Sequence, residues 1–169
     1  HRMGPDLKGR TIATVGDILN SRVARSAMHG LTTLGANVVL CGPPTLVPKW
    51  FESIVNRAAV GGRGKVTVDH DLDGLLPALN AIMMLRVQFE RAGGGPSIIS
   101  GDYHAHYGLT AQRAAQLPEH TVVLHPGPVN RGLELDSEVM DDTSSAHGRS
   151  AILQQVSNGV AVRMAAMAM

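Results

Sequence analysis

Short, uniformly apolar runs alternate with amphipathic segments along most of this chain, and the runs predict five buried strands. They are Arg10–Val15, Asn37–Cys41, Lys65–Asp69, Ala81–Leu85 and Thr121–Leu124. Strands that are apolar on both faces are typical of parallel sheets that helices cover on both sides. The pattern therefore predicts an α/β fold: a doubly wound, mainly parallel five-stranded sheet with helices on both faces.

The segments between the strands carry the apolar spacing of helices. The first helix is expected to begin after an N-cap at Ser21 and to end before Gly35. Two stretches, Arg91–Gly101 and Asp136–Ser150, are expected to be loops, and loops of this length are more often functional or mobile than structural filler. Further helices are predicted for Pro48–Arg57, Leu72–Leu79 and the tail Ala151–Met169.

Composition and charge narrow the classes of function. The 169 residues suit one domain, and only 3% of them are aromatic, which predicts an aliphatic core. The 15 basic and 14 acidic side chains leave a net charge of +1, so composition gives no reason to expect nucleic-acid binding. A single cysteine cannot form an internal disulfide, which is typical of a reducing compartment. No apolar run approaches the ~20 residues that span a bilayer. No signal peptide opens the sequence. A cytoplasmic protein without membrane contact is expected.

Polar residues that follow the strands are the first candidates for a site, because ligands bind beyond the carboxyl ends of strands in open parallel sheets. After the first strand, Arg22 falls in the opening turn of the predicted helix, where a cation opposes the helix dipole. The segment is neither a GxGxxG fingerprint nor a P-loop. Arg22 is therefore either a ligand-binding side chain or an exposed surface arginine.

The fourth and fifth strands are also followed by candidate binding groups. Arg86 and Gln88 lie two residues apart, on one side of an extended backbone, and offer a guanidinium fork and a neutral amide to anionic oxygens. The alternative for this pair is a solvated strand end. The loop 125–132, His-Pro-Gly-Pro-Val-Asn-Arg-Gly, favours a rigid turn with free carbonyl acceptors. The three strand ends together suit a small substrate with more than one anionic group, and they contain no obvious nucleophile.

Three other features carry weaker signals. His104 and His106 could share a metal site only in an extended segment and have no further ligand at suitable spacing, so a mobile loop is the favoured interpretation. Cys41 is expected to be an inert, buried small hydrophobe. The tail methionines are expected to form a packing face; they are Met164, Met167 and Met169.

Five strings of this sequence carry a family resemblance. They are VGDILNSRVARS at 15–26, CGPPTL at 41–46, MMLRVQ at 83–88, HPGPVNRG at 125–132 and LQQVSNGV at 153–160. These strings resemble the aspartate carbamoyltransferase family. They occur in the family's order, span nearly the whole chain and are highly specific together. The resemblance covers only the carboxyl-terminal half of that enzyme. Residues 1–169 are therefore expected to form the aspartate-binding domain, without the amino-terminal domain that binds carbamoyl phosphate.

The resemblance also implies a reaction and a role for each candidate. In that family the aspartate amine attacks the carbonyl carbon of carbamoyl phosphate, giving N-carbamoyl-L-aspartate and phosphate in de novo pyrimidine biosynthesis. By resemblance, Arg22 and Arg86 bind the aspartate carboxylates and Gln88 assists. Gly127 and Pro128 would border carbamoyl phosphate across a cis peptide bond, and carbonyls near Pro126 would orient the reacting groups. No metal, organic cofactor or catalytic side chain is expected from this chain, because catalysis rests on positioning and charge neutralisation.

Assembly and acceptor are less tightly specified. The family forms catalytic homotrimers, mostly through the amino-terminal half, with dihydroorotase or regulatory chains as further possible partners, and the present chain alone is expected to be inactive. Asn20 stands where many bacterial relatives have histidine, and residues 142–150 exceed the family's usual link to the last helix. The loop 125–132 lacks the cysteine that is usual in the ornithine branch, which favours aspartate. Two alternatives stay open: a non-catalytic scaffold or assembly domain, and a carbamoyltransferase with another amino acceptor.

Overall fold

The computed structural model describes residues 6–58, 64–87, 100–143 and 148–169. At its centre lies a sheet of five strands in the order β3-β2-β1-β4-β5, and every pairing between neighbours is parallel. The five predicted strands are confirmed, each to within one residue at its ends. The strands are β1 Thr11–Val15, β2 Asn37–Cys41, β3 Val66–Asp69, β4 Ala81–Met84 and β5 Val122–Leu124.

Seven α-helices are present in the described part of the chain. The predicted N-cap is confirmed, because the Ser21 hydroxyl accepts a hydrogen bond of 3.1 Å from the Ala24 N–H at the start of α1. The helices are α1 Arg22–Thr33, α2 Trp50–Ala58, α3 Leu72–Leu75 (continued by a 3-10 turn, Leu76–Ala78), α4 Ser100–Tyr107, α5 Ala111–Ala114, α6 Ser137–Asp141 and α7 Ile152–Met167.

Three of these helices correct the sequence prediction. The histidine-containing segment expected as a mobile loop is α4, and its Tyr103 is only 1% exposed, so burial of one aromatic ring outweighs the polar composition. The stretch expected as a loop after residue 136 contains α6, which buries Val139. Helix α5 was not predicted and is capped by the Thr110 side chain, which accepts from the Arg113 N–H. Helices of four or five residues carry too little periodicity to be recognised in sequence.

Alternate residues of the strands pack into hydrophobic clusters on opposite faces of the sheet. On one face, Val38 and Leu40 of β2 lie in a cluster with Met28 of α1 and Phe51 of α2. The other face buries a second cluster from β1, β4 and the helices on that side; it includes Val15, Ile82, Met84, Leu72, Leu76, Val139 and Ile152. The doubly wound arrangement with helices on both faces is therefore confirmed.

In the described part of the chain, helix α7 packs against the domain only at its beginning. Ile152 is its buried residue, and the apolar side chains farther along are exposed, so the packing face predicted for the tail makes no core within the described residues. No helix of the described ranges has the length and hydropathy to cross a bilayer. The exposed apolar side chains of this helix and the chain end are Leu153, Val156, Val160, Val162, Met164, Met167 and Met169.

Candidate functional site

The order of the strands reverses between β1 and β4, because the chain runs from β1 outward to β2 and β3 and then crosses to the other side of β1. Val15, which ends β1, pairs with Met84, which ends β4. Leu124, which ends β5, lies beside Met83. Open parallel sheets bind ligands in the crevice at such a switch point. The three strand ends that the sequence singled out therefore meet at one edge of the sheet.

A short, internally bonded turn leads from β1 to Arg22. Asp17 is 2% exposed, and its carboxylate accepts hydrogen bonds from the backbone N–H (3.1 Å) and the side-chain amide (3.0 Å) of Asn20. Ser21 then caps α1, of which Arg22 is the first residue. The turn holds Arg22 at the carboxyl edge of the sheet, with its side chain exposed to solvent.

The backbone after β4 continues alongside β1 before it reaches Arg86. The Leu85 N–H donates to the Val15 carbonyl at 2.8 Å, which extends the ladder by one residue. Arg86 is half-buried and Val87 is buried. Gln88, the assisting amide predicted from sequence, lies outside the described residues, so its position stays a prediction.

The loop after β5 is braced from within and from α7. The predicted cis peptide bond between Gly127 and Pro128 is confirmed. Gly127 N–H donates to His125 Nδ1 at 2.9 Å, and His125 N–H donates to Gln155 Oε1 at 2.9 Å. Pro126 and Gly127 are half-buried, whereas Pro128 is exposed at the tip of the turn.

Sequence reasoning missed Glu134, whose carboxylate is completely buried between two of these segments. Its Oε1 accepts from the Val87 N–H (3.0 Å) and the Asn130 side-chain amide (2.8 Å), and its Oε2 accepts from the Asn130 N–H (2.7 Å). Burial raises the pKa of Glu134 above its ordinary value, and these hydrogen bonds and the charge of Arg86 offset only part of that rise. A glutamate between two leucines, at 133–135, was the one signal that could have revealed it.

His125 is a further buried titratable group at this edge. Its Nδ1 accepts from Gly127, so in the neutral ring the proton lies on Nε2, which is 3.9 Å from Glu134 Oε2. Burial lowers the pKa of His125 to about 4. The ring is therefore neutral at physiological pH, with an N–H that faces a carboxylate.

The weaker sequence candidates form no second site with the other residues that the structure describes. His104 and His106 lie two positions apart on a helix, not on an extended segment, and each Nδ1 contacts a backbone carbonyl, of Leu133 and Asp102 respectively. Within the described ranges no three His, Cys, Asp or Glu side chains are arranged to hold a metal ion. Cys41 is buried, and burial, with a smaller contribution from Asp69, raises the pKa of its thiol to about 12, as an inert thiol requires.

Comparison with known proteins identifies a family for this chain. Residues 8–169 match the family model described as aspartate/ornithine carbamoyltransferase, Asp/Orn binding domain. The chain is 53% identical over 164 residues to the aspartate carbamoyltransferase catalytic subunit of Mycobacterium bovis, covering 95% of this chain and 46% of that protein. The Rhodococcus opacus subunit of the same name is 51% identical over 166 residues, covering 98% and 48%. The chain thus spans about half the length of these curated relatives.

Solved structures share the fold. Aspartate transcarbamoylase of Trypanosoma cruzi, solved with carbamoyl aspartate and phosphate, is 26% identical with a TM-score of 0.75, over 97% of this chain and 50% of that one. Ornithine carbamoyltransferase of Pyrococcus furiosus has the same TM-score at 21% identity, over 96% and 50%. The second likeness concerns the fold alone and carries no information about which amine accepts the carbamoyl group.

Proposed function

The chain belongs to the aspartate/ornithine carbamoyltransferase family, as its Asp/Orn binding domain, and from that premise we propose that it is the aspartate-binding half of an aspartate carbamoyltransferase. The observation that carries the proposal is the meeting of three strand ends at the switch point, where the segments of Arg22 and Arg86 and the proline loop are neighbours. Relatives more than 50% identical are named as the catalytic subunit of that enzyme.

The chemistry of the substrate fits this edge. L-aspartate carries two carboxylates, and a guanidinium can hold each of them by paired charge-assisted hydrogen bonds. We assign these roles to Arg22 and Arg86, with Gln88 assisting. Two arginines on adjacent strand ends suit a dicarboxylate better than they suit ornithine, whose side chain is a cation.

The same edge would present the second substrate to the aspartate amine. Carbamoyl phosphate lies against Gly127 and Pro128, and the carbonyl of Pro126 accepts from the reacting groups and orients them. The amine lone pair attacks the carbamoyl carbon, the tetrahedral intermediate loses phosphate, and the amine releases its proton. Positioning and neutralisation of two anions supply the rate enhancement, so this chain needs to contribute no nucleophile.

Turnover, in this proposal, requires a domain that binds carbamoyl phosphate in addition to the present chain. The enzyme would act in de novo pyrimidine biosynthesis in the cytoplasm, as a catalytic homotrimer whose contacts lie mainly outside this domain. The fraction of the relatives' length that this chain covers, 46–48%, supports the need for a second domain.

Acceptor specificity tests the proposal directly. Purified full-length enzyme containing these residues is incubated with carbamoyl phosphate and either L-aspartate or L-ornithine, and the products are separated by chromatography. N-carbamoyl-L-aspartate is expected with aspartate, no citrulline with ornithine, and no product from residues 1–169 alone. Citrulline formation would reassign the acceptor, and a full-length protein that makes neither product would favour the scaffold alternative.

A further inference from the structure

Glu134 stands out because a carboxylate is costly to bury and this one is completely enclosed. Within the described residues it accepts three hydrogen bonds, from two segments that the chain brings together from a distance, Val87 beyond β4 and Asn130 beyond β5. Two of the three donors are backbone N–H groups. The carboxylate therefore fixes the course of the main chain at both places, rather than the orientation of one side chain.

Both segments carry proposed substrate-binding groups. Val87 directly follows Arg86, and Asn130 comes two residues after Pro128. Arg86 is also close enough for its charge to lower the pKa of Glu134. One buried group thus connects the proposed aspartate site to the proposed carbamoyl phosphate site.

The hydrogen-bond donors around Glu134 suit a carboxylate in its ionised form, although burial raises its pKa. Each hydrogen bond from Val87 and Asn130 is donated to it, and the Nε2–H of His125 faces Oε2 from 3.9 Å without a hydrogen-bond partner of its own in the described ranges. Hydrogen bonds to an ionised acceptor are about twice as strong as those between neutral groups. The connection between the two segments is therefore stiff.

We propose that Glu134 is a positioning residue that sets the distance between the Arg86 segment and the Pro126–Pro128 loop, and so between the two substrates. The inference rests on the proposed function. A reacting amine and carbonyl carbon must approach to about 3–3.5 Å, and a misplacement of about 1 Å can cost about 100-fold in rate. A group that holds both binding segments controls this distance without touching either substrate.

The test replaces the carboxylate by its amide in the full-length enzyme. In Glu134→Gln one carboxylate oxygen becomes an NH2 group, which cannot accept the hydrogen bonds that Val87 and Asn130 donate. We therefore expect kcat/KM for aspartate to fall about 10- to 100-fold. The matched control is Glu52→Gln, because Glu52 accepts from the Val68 N–H at the far side of the sheet. Glu52→Gln is expected to change kcat/KM for aspartate by less than about 3-fold, as for a change away from the site.

A double variant separates positioning from a merely structural role. If Glu134 acts through the placement of Arg86, Glu134→Gln costs much less in an Arg86→Lys background than in the natural enzyme. Full additivity, or unchanged kinetics per folded active site, would overturn the inference. If Glu134→Gln fails to fold, Asn130→Ala provides the test. Because one hydrogen-bond donor to Glu134 is lost, kcat/KM for aspartate is expected to fall about 3- to 10-fold. An unchanged kcat/KM would contradict the proposal.

The outcomes also distinguish the inference from the function on which it depends. A large loss with Arg86→Ala and none with Glu134→Gln overturns only the role of Glu134. Unchanged aspartate kinetics with Arg86→Ala overturns both.

Discussion

Gly16 directly follows β1 and lies close to Leu85, which precedes Arg86, so replacing Gly16 by alanine tests how tightly the ends of β1 and β4 are packed. Gly16 has φ = 128° and is buried. A Cβ there would lie 2.9 Å from the Leu85 carbonyl oxygen, 3.2 Å from the Tyr103 hydroxyl and 3.3 Å from the Leu85 Cβ. The nearest of these is a backbone atom of the extension of β4, so relief requires the main chain before Arg86 to move.

Two costs add in Gly16→Ala. Overpacking a tight site costs about 1–3 kcal/mol, and a residue with a side chain at this φ costs about 1–3 kcal/mol more. We expect the free energy of unfolding to fall by about 2–6 kcal/mol in total, and the melting temperature by about 4–24 °C for a domain of this size. The matched control is Gly9→Ala, which has φ = 74° and nothing within 4 Å of the new Cβ. It lacks the steric cost, so a fall of about 1 kcal/mol is expected.

The assay is thermal and urea unfolding of residues 1–169, followed by circular dichroism, for the natural chain and both variants. Gly16→Ala should be less stable than Gly9→Ala by at least about 1 kcal/mol. The full-length Gly16→Ala enzyme should also show a raised KM for aspartate, because Arg86 moves with Leu85. Equal stability of the two alanine variants would refute the close contact between β1 and the β4 extension.

Two further predictions concern groups near the site. Arg113→Ala leaves the buried Gly108 carbonyl without its 2.8 Å donor and should lower the free energy of unfolding by about 2–3 kcal/mol. Asp73→Asn changes only the exposed partner of Arg113 (56% exposed) and should cost about 0.5–1 kcal/mol in urea unfolding, so equal losses would contradict the reasoning. Burial lowers the pKa of His125 from 6.5 to about 4, so between these values the unfolded state binds more protons and stability falls as the pH falls. His125→Gln should remove about 2–3 kcal/mol of that pH dependence. The raised pKa of Glu134 acts with the opposite sign, but Glu134 is present in both proteins and does not affect the comparison. Identical profiles of unfolding free energy against pH would contradict the lowered pKa of His125.

The sheet could be predicted because its signal is local. Each strand is a short apolar run bounded by glycine, proline or charge, and Ser21 is a typical cap. The α4 segment could not be predicted, because its helix depends on the burial of Tyr103 beside Gly16 and Leu85, contacts formed only by the folded chain. Short helices such as α5 depend likewise on one cap and a few tertiary contacts.

The candidate site divides in the same way. Arg22 and Arg86 could be singled out because each places a cation where local structure gives no reason for one, at a helix start and after an apolar strand. Glu134 could not be singled out from the sequence, because its carboxylate accepts a hydrogen bond from Val87, which precedes it by 47 residues. A substrate-binding residue can be recognised when it is unusual in its local sequence, whereas a residue that connects two distant segments can be recognised only in the folded structure.

The most direct test of the central claim measures aspartate kinetics of Arg86→Ala in the full-length enzyme. Arg10→Ala is the matched control, since Arg10 is an exposed arginine just before β1, at the opposite edge of the sheet. The proposed aspartate site predicts a raised KM and a lowered kcat for Arg86→Ala, with kcat/KM for aspartate reduced about 100-fold or more and little change for Arg10→Ala. Aspartate kinetics of Arg86→Ala that match those of Arg10→Ala would contradict the assignment of this strand end as the aspartate-binding site.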